Sequence, residues 1–332
     1  MKTNEKNAEK TPNDLTLDEI NQRFSTDAAA REYLESIWWP DGPVCPHCKN
    51  GKQDKIWKVT PNQEKKIREG LYMCAECDKQ FTATIGTVFE DSHIPLRKWM
   101  IAWYLTCSSK KGISSLQLQR ILGLGSYRTA LFMTHRIRHA LRDPIYNDKL
   151  SGTVEVDETY IGGKKKFVGR GSMKGKTPVV SLLERGGRVR SQVMRHVTGK
   201  NLKVAVLKNV ATNSEIHTDE NRGYCALKGP YSHHTVKHAM GEYGRREKNR
   251  FVTTNGVEGF FSLLKRGVIG TFHHISEQHL PLYLAEFDHR HNFRKVSDGE
   301  RTVAALKKAV GKRLTYKAPV AKFNSSSASG GV

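Results

Sequence analysis

The sequence predicts an α/β protein: a mixed sheet flanked by helices, preceded by a small four-cysteine metal module and an all-helical segment. Three observations predict it. Two CxxC pairs, Cys45/Cys48 and Cys74/Cys77, stand 25 residues apart near the N-terminus. Between Leu96 and Arg142 apolar residues recur at helical spacing. From Gly152 onward the pattern changes to short β-branched runs, and these give way to alternating helix and strand, the order expected of a sheet covered by helices.

The tails come first. Residues 1–14 and the final NSSSASGGV lack apolar periodicity, and their polar residues bury too little surface to offset ordering entropy, so both are expected to be disordered. Ala28 to Ile37 reads as a short helix, halted by the Pro and Gly of WWPDGPVCPHC. The cysteine pairs that follow can each turn two thiolates toward one tetrahedral zinc ion, closing a structural site. With four thiolates available, His47 is read as a solvent-facing turn residue, and Lys49, Lys52, Lys55 and Lys58 as surface charge. Cys107 and Cys225 stand singly and are read as packing residues; no disulfides are expected.

Leu96–Cys107 has the apolar density of a buried helix, and Ser114–Arg142 reads as two helices broken at LGLGS. A helix-turn-helix seats its second helix in the major groove of DNA. Arg128, Arg136 and Arg138 on that second helix are the candidate DNA contacts.

The sheet is built from TVEVDETYI, PVVSLLE, RVRSQVMRHV and SEIHTD, with HHTVKH as a possible fifth strand and a helix over Leu202–Val210. Alternation along the first strand sets Glu155 and Asp157 on one face and Val154 and Val156 on the other, and turns Glu158 away from Asp157 as a structural residue. Asp219 closes its strand at the edge where open sheets place ligands. A helix entered at Asn255 carries Glu258, and Lys265 two turns later on the same face; Phe261 is read as nearer that face, with Phe260, Leu263 and Leu264 on the packed side. Three carboxylates on strand, strand end and helix suit a site for two divalent cations acting on phosphodiesters, and Mg2+ or Mn2+ fits such oxygen ligands.

Charge agrees. Lys and Arg total 55 against 33 acids, a formal charge of +22, which attracts a densely anionic partner at long range. Gly162–Lys176 carries six cations and no acid, so Lys164, Lys165, Lys166 and Arg170 are candidate phosphate contacts beside the first acidic strand. Arg245, Arg246, Lys248 and Arg250 form a weaker basic run. The histidines at 217, 233, 234, 238, 273 and 274 are read as structural or DNA-facing, because a two-metal site needs no histidine base. Neither a signal peptide nor an 18-residue apolar run is present, so no membrane partner is expected and the chain is placed in the cytoplasm, with the bacterial nucleoid.

Several of these blocks, in the same order, carry a resemblance: REYLESIWWPDGPVCPHC, GTVFEDSHIPLRKWMIAWYL, VEVDETYIGGK, HTDENRGY, TTNGVEGFFSLLKRGVIGTFHHIS and EFDHRHNFR. They resemble the insertion-sequence transposases that join an N-terminal zinc ribbon and a helix-turn-helix to an RNase H-like DDE catalytic domain. The resemblance implies that Asp157 and Asp219 are metal ligands. It leaves the third ligand between Glu258 and Asn255, with Glu258 preferred because it pairs with Lys265 at the E-x6-K spacing; Asn255 otherwise assists or caps the helix. It also implies double-stranded DNA as partner, both transposon inverted repeats and target, and a homo-oligomer acting on two ends. The domains are then expected at 15–90 (N-terminal helix and ribbon), 91–148 (helix-turn-helix), 149–296 (catalytic) and 297–332 (C-terminal helix and tail). A metal-dependent nuclease without strand transfer, and a zinc-containing DNA-binding regulator with an inactive core, are the alternatives.

Overall fold

Alternating side chains along β4 (Thr153–Ile161) feed two apolar cores, and in the computed structural model this strand is the centre of a five-stranded sheet. The structure describes residues 16–142, 148–162, 175–227, 229–248 and 250–315. They fall into two compact units. Among the described residues the first gathers 16–110, Ser115–Leu141 and 294–315; the second holds Lys111–Ser114 and those between Arg142 and Phe293.

In the first unit, β1 (Ile56–Lys58), β2 (Tyr72–Cys74) and β3 (Lys79–Phe81) make a three-stranded antiparallel sheet. Its core is small: Ile56, Tyr72 and Phe81 pack with Cys45 and Cys74, and the Trp39 ring meets Tyr72 and Phe81 edge-on at 5.3 and 5.9 Å. The surrounding helices are α1 (Leu17–Arg23), α2 (Asp27–Trp38), α3 (Leu96–Ser108), α4 (Ser115–Leu122), α5 (Tyr127–Leu141) and α9 (Asp298–Lys307). Local signals start several of them. Thr26 caps α2 by accepting from the Ala29 N–H at 3.1 Å, and Ser297 with Glu300 closes a capping box on α9. Trp99, Met100 and Trp103 bury one side of α3 almost completely.

The second unit's sheet runs β6 (Val189–Val193), β5 (Thr177–Glu184), β4, β7 (Glu215–Thr218), β8 (Ser232–Thr235). β6, β5 and β4 pair antiparallel, whereas β7 and β8 run parallel to β4. One face buries Val154, Val156, Val180, Leu182 and Ile216 against Leu202, Ala205 and Val206 of α6 (Gly199–Asn209). The opposite face buries Ile161, Val179, Leu183 and Val189 against α7 (Asn255–Gly267) and α8 (Leu280–Asn292). This is the mixed sheet flanked by helices that the sequence predicts, and HHTVKH supplies its fifth strand. A hairpin of β9 (Gly244–Glu247) and β10 (Arg250–Thr253) lies outside that sheet.

Candidate metal and acidic sites

The four ribbon cysteines converge. Their sulfurs lie within 4.8 Å of one another, with Cys45 Sγ 3.6 Å from Cys77 Sγ and Cys48 Sγ 3.7 Å from Cys74 Sγ. Tetrahedral zinc with bonds of about 2.3 Å requires sulfur–sulfur edges of about 3.8 Å, so the cage has the size of a Zn(Cys)4 site. Each CxxC turn ends in a residue of left-handed conformation, Lys49 (φ 63°) after the first and Asp78 (φ 54°) after the second. The two turns therefore present their thiolates alike. His47 is exposed, as are Lys49, Lys52, Lys55 and Lys58.

The second convergence is acidic and depends on strand register. β4 and β7 pair in parallel with Glu155 opposite His217; Asp157 is two residues further along β4, and Asp219 two residues beyond His217, just past the end of β7. A carboxylate oxygen from each of Asp157, Glu158 and Asp219 lies within 4.8 Å of the others. Asp157 Oδ1 accepts from the Glu158 N–H at 2.7 Å, and Asp219 Oδ1 from the Asn221 N–H at 3.0 Å. Glu158 accepts from the Asn221 side chain and the Tyr224 hydroxyl, which fix its carboxylate. Alternation does turn Glu158 to the Tyr224 side of the sheet, but its carboxylate still reaches the aspartates, at the level where the neighbouring β7 has ended. Two neighbouring acids just before Gly162 were the available signal.

Glu258 lies in the first turn of α7, outside that trio. It accepts from Thr254 Oγ1 at 2.7 Å, and His238 Nε2 stands 3.1 Å from its Oε1. Its charge acts on both aspartates and raises the pKa of each. Asn255 is exposed as the first helical residue, and the N-cap position belongs to Thr254 rather than to Asn255. Lys265 is exposed on α7, and Phe261 is buried with Val257, Phe260 and Leu264, at the edge of the packed side that lies nearest Lys265. His238, read from the sequence as one of several structural histidines, is placed by the fold beside Thr254 and Glu258.

A buried clamp joins the α7 entry to β4. Glu155, 2% exposed, accepts from Arg185 Nε at 3.1 Å through one oxygen and from the Val257 N–H at 3.0 Å through the other. Arg185 also donates to the Phe251 and Thr253 carbonyls. A Cβ at Gly256 would sit 2.7 Å from the Glu155 carboxylate, so only glycine lets the helix start this close. The strand bearing Asp157 and the helix bearing Asn255 and Glu258 are thereby held together.

Packing these acids together destabilises their charged forms. Burial, foremost, then repulsion from Asp219, Glu158 and Glu258, pushes Asp157 up to about 7 against the Glu158 N–H. Burial also raises Asp219 and Glu158. Below pH 3.8, the ordinary value, Asp157 is protonated folded or unfolded and costs nothing. As pH rises toward 7 the unfolded chain releases a proton that the fold retains, so stability falls across that window and the loss is complete above about 7. Asp157→Asn is therefore expected to stabilise the metal-free protein at pH 8, by on the order of 3 kcal/mol, and to leave it unchanged at pH 3.5. Thermal melts at the two pH values check this; equal effects at both would contradict it. Oxygen donors this crowded fit a hard divalent cation.

The candidate DNA contacts separate. Arg128 is exposed at the start of α5, whereas Arg136 and Arg138 are buried at 7% and 1%, so the reading of these two as surface contacts is corrected. Their sequence position near the helix end could not reveal that nine of the fifteen α5 residues are buried. Lys164, Lys165, Lys166 and Arg170 lie outside the described residues. Cys107 is buried as expected, but Cys225 is exposed. Among the described residues, no helix is long and apolar enough to cross a membrane.

Both regions match known families. Residues 149–292 match the ISXO2-like transposase domain, and residues 25–80 the transposase zinc-ribbon domain. A Halobacterium salinarum relative, described as an uncharacterized protein in transposable element ISH50, is 28% identical over 297 residues, covering 82% of this chain and 93% of the relative. One chain of a simian T-cell lymphotropic virus intasome structure, in complex with PP2A regulatory subunit B56 gamma, aligns with 57% of this chain and 65% of its own length, at 15% identity and a TM-score of 0.26; so slight a likeness carries no argument. With a transposase zinc ribbon followed by an ISXO2-like transposase domain, the chain belongs to the zinc-ribbon transposases of insertion sequences.

Proposed function

We propose that this protein cuts DNA at the ends of its own insertion sequence and joins the freed 3′ hydroxyl to target DNA, using Mg2+ or Mn2+ held by Asp157, Asp219 and Glu258. The observation that carries the reading is the convergence of the Asp157 and Asp219 carboxylates within 4.8 Å, one from β4 and one from just past the end of the parallel β7. When bound, two such cations activate the attacking oxygen and stabilise the leaving one. The chain's own residues do the rest. Glu155 and Arg185 hold the α7 entry against β4 and so fix Glu258 and Asn255 relative to Asp157. Glu158, tied by Tyr224 and Asn221, adds negative charge that draws cations to the aspartates. Asn255 assists from the same turn as Glu258. Lys265, with Lys164, Lys165, Lys166 and Arg170, contacts phosphates flanking the reacting bond.

The zinc ribbon and helical unit bind the inverted repeats, with exposed Arg128 at the start of α5 as one contact. Two ends must be processed together, so the protein acts as a homo-oligomer on DNA. The test incubates wild-type protein with end-containing duplex, target plasmid and Mg2+. Cleavage plus covalent joining is the expected result. Cleavage without joining indicates a nuclease, and binding without either indicates a regulator; both outcomes overturn the reading.

A further inference from the structure

Arg136 is a buried cation without an anion of its own. It is 7% exposed, its Nε has no hydrogen-bond partner among the described residues, and its guanidinium stacks on the Phe132 ring, 4.7 Å from the centroid. The acids nearest to it are committed elsewhere: Glu90 lies 3.3 Å from Arg313, and Asp91 also pairs with Arg313. Removing a charge from water without pairing it is strongly unfavourable, so such a residue marks a place where a counter-charge arrives from outside.

Arg136 lines a cavity of about 360 Å3, which is also walled by Ser126, Arg128, Thr129 and Phe132, by His93, and by Asp91, the acid paired with Arg313. Ser126 and Arg128 lie at the N-terminal end of α5, a fifteen-residue helix with no acid in its first turn. The positive end of the helix dipole is therefore not neutralised by its own sequence. Three sources of positive potential bear on one cavity: a helix N-terminus, the exposed Arg128 and the buried Arg136. The cavity's aromatic wall lowers the local dielectric and strengthens all three.

We propose that this cavity seats one backbone phosphate of the bound DNA, with Arg136 as its buried cation and Arg128 at its rim. The proposal rests on the reading that the helical unit binds DNA. It converts Arg136 from a surface contact into the base of a phosphate pocket, which fixes the register of the duplex along α5. A guanidinium packed over an aromatic ring has less freedom to turn, which leaves its forked N–H donors better ordered for phosphate oxygens.

The test compares wild type with Arg136→Met, which keeps the stacking stem and removes the charge. Affinity for end-containing duplex is measured across a salt series, alongside melting temperature without DNA. Loss of one phosphate contact lowers the slope of log affinity against log salt by about 0.9, which is about eightfold in affinity near 0.1 M salt. The expected result is that loss with a melting temperature equal to or above wild type, because an unpaired buried charge has been removed. An unchanged slope overturns the proposal; if it is accompanied by a melting-temperature rise in inorganic phosphate that wild type shows and Arg136→Met lacks, the cavity is assigned to a free anion instead. Should the methionine variant not fold, Arg136→Lys is compared with wild type on duplexes carrying single neutral methylphosphonates. One position at which wild type loses affinity and the lysine variant loses less supports the pocket; equal losses everywhere overturn it. If wild type itself fails to bind end-containing duplex, the DNA-binding reading fails instead.

Discussion

Asp157→Ala and Asp219→Ala are each expected to abolish cleavage and joining of end-containing DNA in Mg2+. The loss should be at least about 10^3-fold, about 4 kcal/mol of transition-state stabilisation, because removing one carboxylate leaves the cations without a fixed bridge between strands. Duplex affinity should stay within about twofold, since the contacts that grip phosphates remain. The physical reason for expecting so steep a loss is their convergence. Asp157 lies on β4 and Asp219 directly follows β7, the strand parallel to it, and their carboxylates converge within 4.8 Å, while Glu158 beside them is tied to Tyr224 and Asn221. Time courses on labelled duplex, with binding measured in parallel, check the expectation. Either variant working within about tenfold of wild type would remove that residue from the catalytic set.

The second large effect concerns zinc. The ribbon's core is confined to Cys45, Ile56, Tyr72, Cys74 and Phe81, with Trp39, Cys77 and Ile85 packed on its edge. A core this small cannot offset the entropy of ordering its loops, and a structural zinc ion supplies on the order of 10 kcal/mol or more. Chelation, or Cys45→Ser, is therefore expected to unfold residues 45–81 and expose them to protease. Freshly purified protein should carry about one zinc per chain. Less than about half an equivalent, or a chelated ribbon that stays protease-resistant, would contradict the assignment.

Much of this architecture was legible in the amino-acid order because local and tertiary forces agree there. In TVEVDETYI the period-two pattern fits a strand buried on both faces, and its observed bounds coincide with the segment read from the sequence. The cysteine pairs were legible for a different reason: thiolate spacing is set by the metal rather than by packing. The β9–β10 hairpin was not legible. Its residues GRRE and RFVT look like a basic surface run, yet Arg245 pairs with Glu242 and Glu247, and Arg250 with Glu215. Those charges neutralise one another across the chain, which no local pattern records.

The acidic site was legible in part for the same reason. Asp157 and Asp219 follow from the strand pattern, but Glu158 joins them although β4 and its pairing with β5 run on to Ile161, because the neighbouring β7 ends at Thr218 and leaves its carboxylate free to reach them. Arg136 and Arg138 looked like surface cations because their helix carries polar residues on several sides; the extent to which the unit buries α5 depends on helices distant in sequence. Glu155 was assigned a face correctly, yet its role as the anchor of α7 required the fold.

The central claim is that Asp157 and Asp219 share a divalent cation. Anomalous diffraction from crystals of the wild-type protein soaked in Mn2+ tests it most directly. The account predicts a manganese peak about 2.2 Å from carboxylate oxygens of both Asp157 and Asp219, absent in Asp219→Ala crystals. Manganese at full occupancy elsewhere in this unit, with none between the two aspartates, would contradict it.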